Sequence, residues 1–578
     1  MRPRPTFRSL TVGFLLSCVA ASPRAVAAAQ TPDLILHSGK IWTVDDRRPV
    51  AEAVAVKDDR IMKVGANAEV LALRGTDTRL VDLRGKLVLP GFNDAHTHIC
   101  NAVDWFFQVL LMEVDNQDDL LRLLRAAAAR VPPGMWITGG DWATFAWHAA
   151  QRTGPKGWQA FTPDLAAIDA ATPDHPVLLR RYDHHYFVNS AALLRARVDL
   201  EAAKSPDYER DPATGRLTGM LSPAAGELVE RLLPPETRAQ QLIGARGVLR
   251  ELNRVGITSI HDIARIDEST QRHTLPTFIE RSYTDVAVYR ALRERGELTV
   301  RVHALTPLVT WADLADFGIR PGSGDEFLSF GTLKEFIDNE AGKFTFRFES
   351  EEAMQRNITA ADGGGFDIGA HVITDASIKL LLDWYSTAFK VNGSRERRFR
   401  LIHAWYASPA TLARAGAMNL IADVTPFHLF RHDMAALERE IGPERARTAG
   451  AWRSMIDHGV RLNLVSDLPG SFQRTKGVNP YNPLQLMYSA VTRKDHRYPD
   501  MQPWHPEQAI TLEEAIRACT INPAYASREE KRKGTVAEGK LADLVVLSKD
   551  ILSLPPEELL RTDVVYTIMG GRIVYQAE

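Results

Sequence analysis

At 578 residues the chain is too long for one ordinary core, while 45% hydrophobic and 25% charged residues leave ample apolar material to bury. A large domain with a smaller one attached is therefore expected. The near-balanced charge of −2 offers no basic face to a nucleic acid, and three cysteines are too few for a disulfide framework.

The first 29 residues differ from the rest. Arg2, Arg4 and Arg8 precede an apolar stretch from Leu10 to Ala21, a breaker at Pro23 and the small-residue run "AVAAAQ". This order describes a secretory signal peptide cut after Ala27 or Ala29, so the mature chain is expected to be exported, to a periplasm or to the medium. Loss of Arg2, Arg4, Arg8 and Arg24 takes the net charge from −2 to −6. The apolar stretch is too short to cross a bilayer, and no later segment is long and apolar enough to try, so the mature chain is expected to lack an integral membrane segment. Reading "LLSC" as a lipoprotein cleavage site with Cys18 lipidated is the weaker alternative, because Leu16 fits that pattern poorly. Cys100 and Cys519 then remain, and two buried free thiols are a simpler reading than one bridge.

Residues 30–88 alternate short β-rich runs with turns, as in "DLILHSGKIWTVD", "AVAVKDDRIMKVG" and "TRLVDLRGKLVLPGF". The same texture returns within residues 508–578, in "GKLADLVVLSKD" and "VVYTIMGGRIVYQ", so the two ends are expected to build one composite β-sandwich. Between them, residues 89–507 carry eight apolar runs, each followed by polar or helical sequence: "KLVLPGFNDAH", "VGITSIHDI", "LTVRVHAL", "FGTLKEF", "FDIGAH", "FRLIH", "MNLIADV" and "VRLNLVSD". Eight such units predict an α/β fold, a (β/α)8 barrel of the TIM type. Helical patterns sit between them, for instance "ETRAQQLIGARGVLRELNRVG" and "DASIKLLLDWYSTAF". The interval of about 101–245 is too long for one connection, and it is expected to be an inserted lid over the barrel mouth with a small core of its own.

Barrel enzymes place their chemistry at the C-terminal ends of the strands. Here the first run ends at His96 and His98, the fourth carries Lys334, the fifth ends at His371, the sixth at His403 and the eighth at Asp467. His371 to His403 is 32 residues and His403 to Asp467 is 64, two steps of the same size, as βαβ units of 30 or so residues would give. Neutral imidazoles and a carboxylate are the ligands that zinc and similar divalent ions prefer. On a strand His96 and His98 share a face, so both can reach one ion. A lysine among them is useful only if it loses its proton and takes up CO2, giving a carbamate whose two oxygens can bridge two metals.

The chain is similar to the amidohydrolase superfamily, and within it resembles amidohydrolase family 3, metal-dependent hydrolases that join a barrel to a composite β-sandwich. The matching stretches include "LVLPGFNDAHTHI", "VNSAALL", "LNRVGITSIHD", "AHVITDASI", "RLIHA", "LVSDLPG" and "GTVAEGKLADLVVLSKDI", in family order from about residue 33 to the end. The resemblance implies that His96, His98, Lys334, His371, His403 and Asp467 are metal ligands and that Asp467 is also the catalytic acid/base. Two departures stand near the substrate: Ile402 where the family usually has Glu, and "NEAGKFTF" at 339–346 in place of a Gly-Ser-rich stretch.

This ligand set implies an exported binuclear amidohydrolase, with two divalent ions, zinc by preference, and a CO2-derived carbamate on Lys334. Water held between the ions becomes hydroxide near neutral pH and attacks a small linear or cyclic amide, such as an N-acyl amino acid, lactam or carbamate, and Asp467 moves the proton to the leaving nitrogen. Two alternatives are a mononuclear deaminase-type enzyme, which would not need Lys334, and an inert binding protein on the same scaffold. His185 and His428 are expected to face the substrate. His261 and His303 are assigned to packing, Asp375 to holding His371 or its loop, and the "RERRFR" run at 395–400 to a solvated helix end. A homo-oligomer is compatible with this composition.

Overall fold

The structure, a computed structural model, describes residues 31–99, 108–111, 114–143, 159–181, 183, 185–197, 205–234, 237–263, 275–338, 349–430, 438–439, 442–468 and 481–578. The proposed signal peptide, Cys18, Cys100 and the 339–346 stretch lie outside these residues.

Every one of the eight apolar runs supplies a strand of one parallel sheet. The strands are Phe92–Thr97, Ile257–Ile263, Arg301–Pro307, Leu328–Phe336, Asp367–Val372, Arg400–His403, Ile421–Val424 and Arg461–Leu464, each paired with the next in chain order. The ring closes between its first and last members: Thr97 bridges Leu468, the His98 N–H donates to the Leu468 carbonyl at 2.5 Å, and the Asp467 N–H donates to the His96 carbonyl at 3.0 Å. Strands covered on both faces read as continuous apolar runs, and all seven residues of Arg301–Pro307 are buried. Helix starts are written locally. Thr237 caps helix Arg238–Arg254 and Thr374 caps Asp375–Asn392, each with a reciprocal side-chain bond from the third helical residue.

Two further sheets pack beside the barrel. One orders Arg60–Gly65, Ala53–Lys57, Leu34–His37 and Arg79–Asp82; the other orders Arg572–Gln576, Val564–Met569, Leu544–Leu547, Leu87–Pro90, Lys40–Trp42 and Val50–Ala51, joining strands from both ends of the chain. They enclose a separate apolar core that includes Ile41, Val54, Val88, Leu544 and Ile568. Gly256 marks the junction with the barrel. Its φ is +86°, and a Cβ there would stand 2.7 Å from Val545 and 2.9 Å from Phe92, so only glycine fits. Arg301 at the start of the third barrel strand pairs with Asp543 at 2.6 Å, a buried tie between the two bodies.

The segment after the first barrel strand has a six-stranded sheet, ordered Tyr208–Arg210, Leu217–Leu221, Tyr186–Val188, Val177–Arg181, Ile137–Trp142 and Gln108–Leu110. Its own core gathers Leu124, Trp142, Ile168 and Phe187. Two boundaries move. Helix Arg238–Arg254 buries Leu242, Val248, Leu249 and Leu252 in the barrel core, so the inserted unit ends before residue 238 and not near 245. Helix Leu512–Ala518 likewise buries Ala515, Ile516 and Ala518 there, so the C-terminal sandwich part begins after 508, where Val536 first joins the sandwich core. For the first, apolar periodicity showed a helix but not which core it faces. Among the described residues no helix is long and apolar enough to cross a membrane.

Candidate metal centre

Four strand ends converge on Asp467. Its Oδ1 lies 3.1 Å from His96 Nε2 and 3.6 Å from His98 Nε2, and its Oδ2 lies 3.2 Å from His428 Nε2. The His403 ring stands 5.0 Å from His96, 4.6 Å from His371 and 5.2 Å from His428, centroid to centroid. Ligand atoms of His96, His98 and Asp467 fall within 4.8 Å of one another, and so do those of His403, His428 and Asp467. Asp467 belongs to both groups.

The backbone is strained where these side chains are aimed. His403 has φ 72° and Asp467 φ 55°, left-handed conformations that cost a non-glycine residue about 1–3 kcal/mol and persist where the surroundings impose them. Asp94 supplies part of that imposition. Two residues before His96 and buried, it accepts from the His96 N–H at 3.2 Å and from the Ser466 N–H at 3.2 Å, which clamps the first strand to the loop carrying Asp467. Burial pushes its carboxyl up to about 7.

The electrostatics suit a cation. Burial pushes His96 down to about 3 and holds His403 well below the usual imidazole range, so both are neutral, the form a metal requires. Burial opposes ionisation of Asp467, yet hydrogen bonds from His428 and His96 keep it well below the ordinary carboxylate range. Lys334 is 1% exposed, and burial brings its ammonium down to about 7, with the nearby Arg400 guanidinium acting in the same direction. Among the described residues its Nζ has no hydrogen-bond partner, and it sits 4.2 Å from the centroid of the Phe336 ring. His96 Nδ1 and His428 Nδ1 are also buried without a partner among the described residues. Neutral His96 and His403 beside one ionised carboxylate, with polar atoms sealed inside that have no partner among the described residues, fit a site built to hold divalent cations.

Of the residues singled out from sequence, His96, His98, His371, His403 and Asp467 stand together, with Lys334 buried close enough to feel the Asp467 charge. His428 joins them through Asp467. His185 does not: it is 41% exposed and its contacts among the described residues are with Asp183, 3.3 Å away, and Arg181 in its own hairpin. Asp375 also differs from expectation. It accepts from the Ser408 N–H at 2.8 Å and the Thr411 hydroxyl at 2.6 Å, holding the loop after the sixth strand, whereas Asp338 accepts from the Ile373 and Thr374 N–H groups and fixes the loop after His371. The 395–400 run is no solvated helix end: Arg395 and Arg397 bond Asp362, Arg398 bonds Glu530, and Arg400 is fully buried against Asp423. Asp94 was readable in principle, since it shares the His96 and His98 face by period two.

A closed parallel barrel with histidines and an acid converging at its strand ends defines a metal-dependent hydrolase. The chain matches the amidohydrolase family over residues 79–575, and it belongs to that family. It is 29% identical to the protein LONG AFTER FAR-RED 3 of Arabidopsis thaliana, across 94% of this chain and 91% of that one. It is 26% identical to the N-substituted formamide deformylase of Arthrobacter pascens, across 95% of this chain and 99% of the relative. In fold it is similar to an uncharacterized metal-dependent hydrolase from Pyrococcus furiosus, with a TM-score of 0.65 at 19% identity, over 91% of this chain and 99% of that one.

Proposed function

We propose that the protein is an exported binuclear hydrolase that cleaves a carbon–nitrogen bond in a small linear or cyclic amide. The observation that carries this reading is the contiguous cluster of His96, His98, His371 and His403 beside the buried Asp467 carboxylate. The formamide deformylase relative supports an amide-type bond as the target.

His96, His98 and Asp467 would hold one ion and His371 and His403 the other, with zinc matching these donors. Lys334, buried and unpaired, would add CO2 through its free amine, lose one proton and offer two carbamate oxygens between the two groups. Bound divalent ions supply acidity, lowering the pKa of water toward about 7 and polarising a carbonyl oxygen. Asp467, held ionised by His428 and His96, accepts the proton that water loses as its oxygen bonds to the carbonyl carbon. The same carboxyl then delivers that proton to the nitrogen as the C–N bond breaks. His428 touches Asp467 and orients it.

The test is metal analysis of the purified protein together with a hydrolysis screen over N-formyl and N-acyl amines, N-acyl amino acids, lactams, carbamates and esters. Two metals per chain, a carbamate mass on Lys334 under native conditions and turnover of an amide are expected. Turnover that survives Asp467→Asn would overturn the assignment. The export proposal is checked by the N-terminal residue of protein recovered outside the cytoplasm, expected to be Ala28 or Gln30.

A further inference from the structure

The first barrel strand is irregular where its two histidines leave it. Asp94 stands opposite Ile260 of the second strand and Thr97 opposite Asp262, so Ala95 and His96 together face the single residue His261. An extra residue of this kind is a β-bulge, which disrupts the local ladder, bends the strand and re-aims its side chains.

Pairing resumes at Asp262, and its side chain adds a second hold at the same place. The residue is buried, and its Oδ1 accepts from the Thr97 hydroxyl at 3.1 Å and from the Ile99 N–H at 2.7 Å, the residues on either side of His98. Its Oδ2 accepts from the hydroxyl of Tyr289, which is buried on helix Leu275–Glu294. The His98 N–H goes the other way, to the Leu468 carbonyl across the seam of the barrel. His98 is thus tied to the second strand through both neighbours and to the last strand through its own amide, and its Nε2 comes to 3.6 Å from Asp467. Asp262 bonds the chain on both sides of the imidazole, so it acts on His98 by placing it.

We propose that Asp262 is a positioning residue for the metal centre: by pinning Thr97 and Ile99 beyond the bulge it sets His98 at the ion that His96, His98 and Asp467 would hold, and Tyr289 fixes Asp262 in turn. The proposal deepens the binuclear hydrolase reading above and rests on it. Loss of a partner that orients a metal ligand weakens metal affinity by about 10–100-fold.

The experiment strips the protein of metal and titrates it with cobalt(II) against a competing chelator, reading visible absorption and bound ion per chain, with turnover in the amide screen measured in parallel. His98→Ala marks which ion His98 holds. Asp262→Ala is expected to weaken that ion at least about tenfold and to leave the other within about threefold of the parent. Asp262→Asn, which keeps an oxygen for Thr97 and Ile99 and can turn its amide toward the Tyr289 oxygen, should restore the parent affinity to within about threefold. If Asp262→Ala does not fold, Tyr289→Phe decides, with a loss of about threefold or more expected at the same ion. Equal weakening of both ions, or unchanged affinity in the variant that decides, overturns the proposal. Selective weakening of the His98 ion in a protein that turns over no amide supports the positioning role while defeating the hydrolase reading, and a parent that binds no cobalt(II) overturns both.

Discussion

Two polar layers sit inside the same barrel, built from the same kinds of residue, but one pairs its buried cations and the other does not. Near the strand beginnings, Arg400 donates to Asp423 at 2.7 Å, Asn463 bonds the other oxygen of Asp423, and His303 spends one ring nitrogen on Ser329 and the other on Thr332, both at 2.9 Å. Glu529 and Lys533 close the set at 2.8 Å, with Lys533 also donating to Ser259. His261 Nε2, Asn463 Oδ1 and the Asn93 amide are its unpaired atoms. At the strand ends, Lys334 Nζ lacks a hydrogen-bond partner among the described residues, and the imidazoles crowd one carboxylate. Buried charges that bond one another fix a fold, and a buried lysine without a bonding partner calls for another explanation, here a ligand.

That contrast can be broken from either side. The largest effect is expected from Asp467→Asn, a loss of about a thousandfold in kcat with the fold retained, measured on whichever amide the screen finds. Arg400→Met should come next and act on stability: it leaves Asp423 buried and uncompensated, costing about 3–5 kcal/mol in chemical denaturation. Lys334→Met is the counterpart, removing a buried amine without a hydrogen-bond partner among the described residues; compared free of metal, its melting temperature should equal or exceed that of the parent, while on reloading bound metal drops below two per chain.

A smaller effect follows from pH. Burial alone would raise the Glu529 carboxyl, but Lys533 wins and brings it down to about 2. A depressed carboxylate stabilises the fold above its ordinary value near 4.5, and that contribution disappears as pH falls from there toward 2. Glu529→Gln should therefore flatten the melting temperature across that window relative to the parent. The smallest change belongs to His185→Ala, within about threefold in kcat/KM, because its partner is Asp183 and not the cluster.

The eight strands were legible because each apolar run repeats at the length of one βα unit, and that same repeat exposed His96, Lys334, His371, His403 and Asp467 as strand ends. His303 was also readable as packing. What escaped were pairings across long separations. Charges at 395–400 read as solvated because their partners, Asp362, Asp423 and Glu530, sit 23 to 132 residues away and carry no local signature. Asp338 and Asp375 each begin a plausible anchor for the fifth-strand loop, and only the folded path of that loop decides between them. His428 was visible as a residue after the seventh strand, but its hold on Asp467 depends on a loop geometry that periodicity does not encode.

The seam that closes the barrel runs through the site itself. Asp94 and Ser466, hydrogen-bonded there, are 372 residues apart, and His96 and Asp467 exchange a backbone bond in the same place. Closing so long a loop comes late in folding. His96 and Asp467 therefore meet only once the chain has been made past residue 467, so a barrel stopped short of its eighth strand lacks the carboxylate its histidines surround.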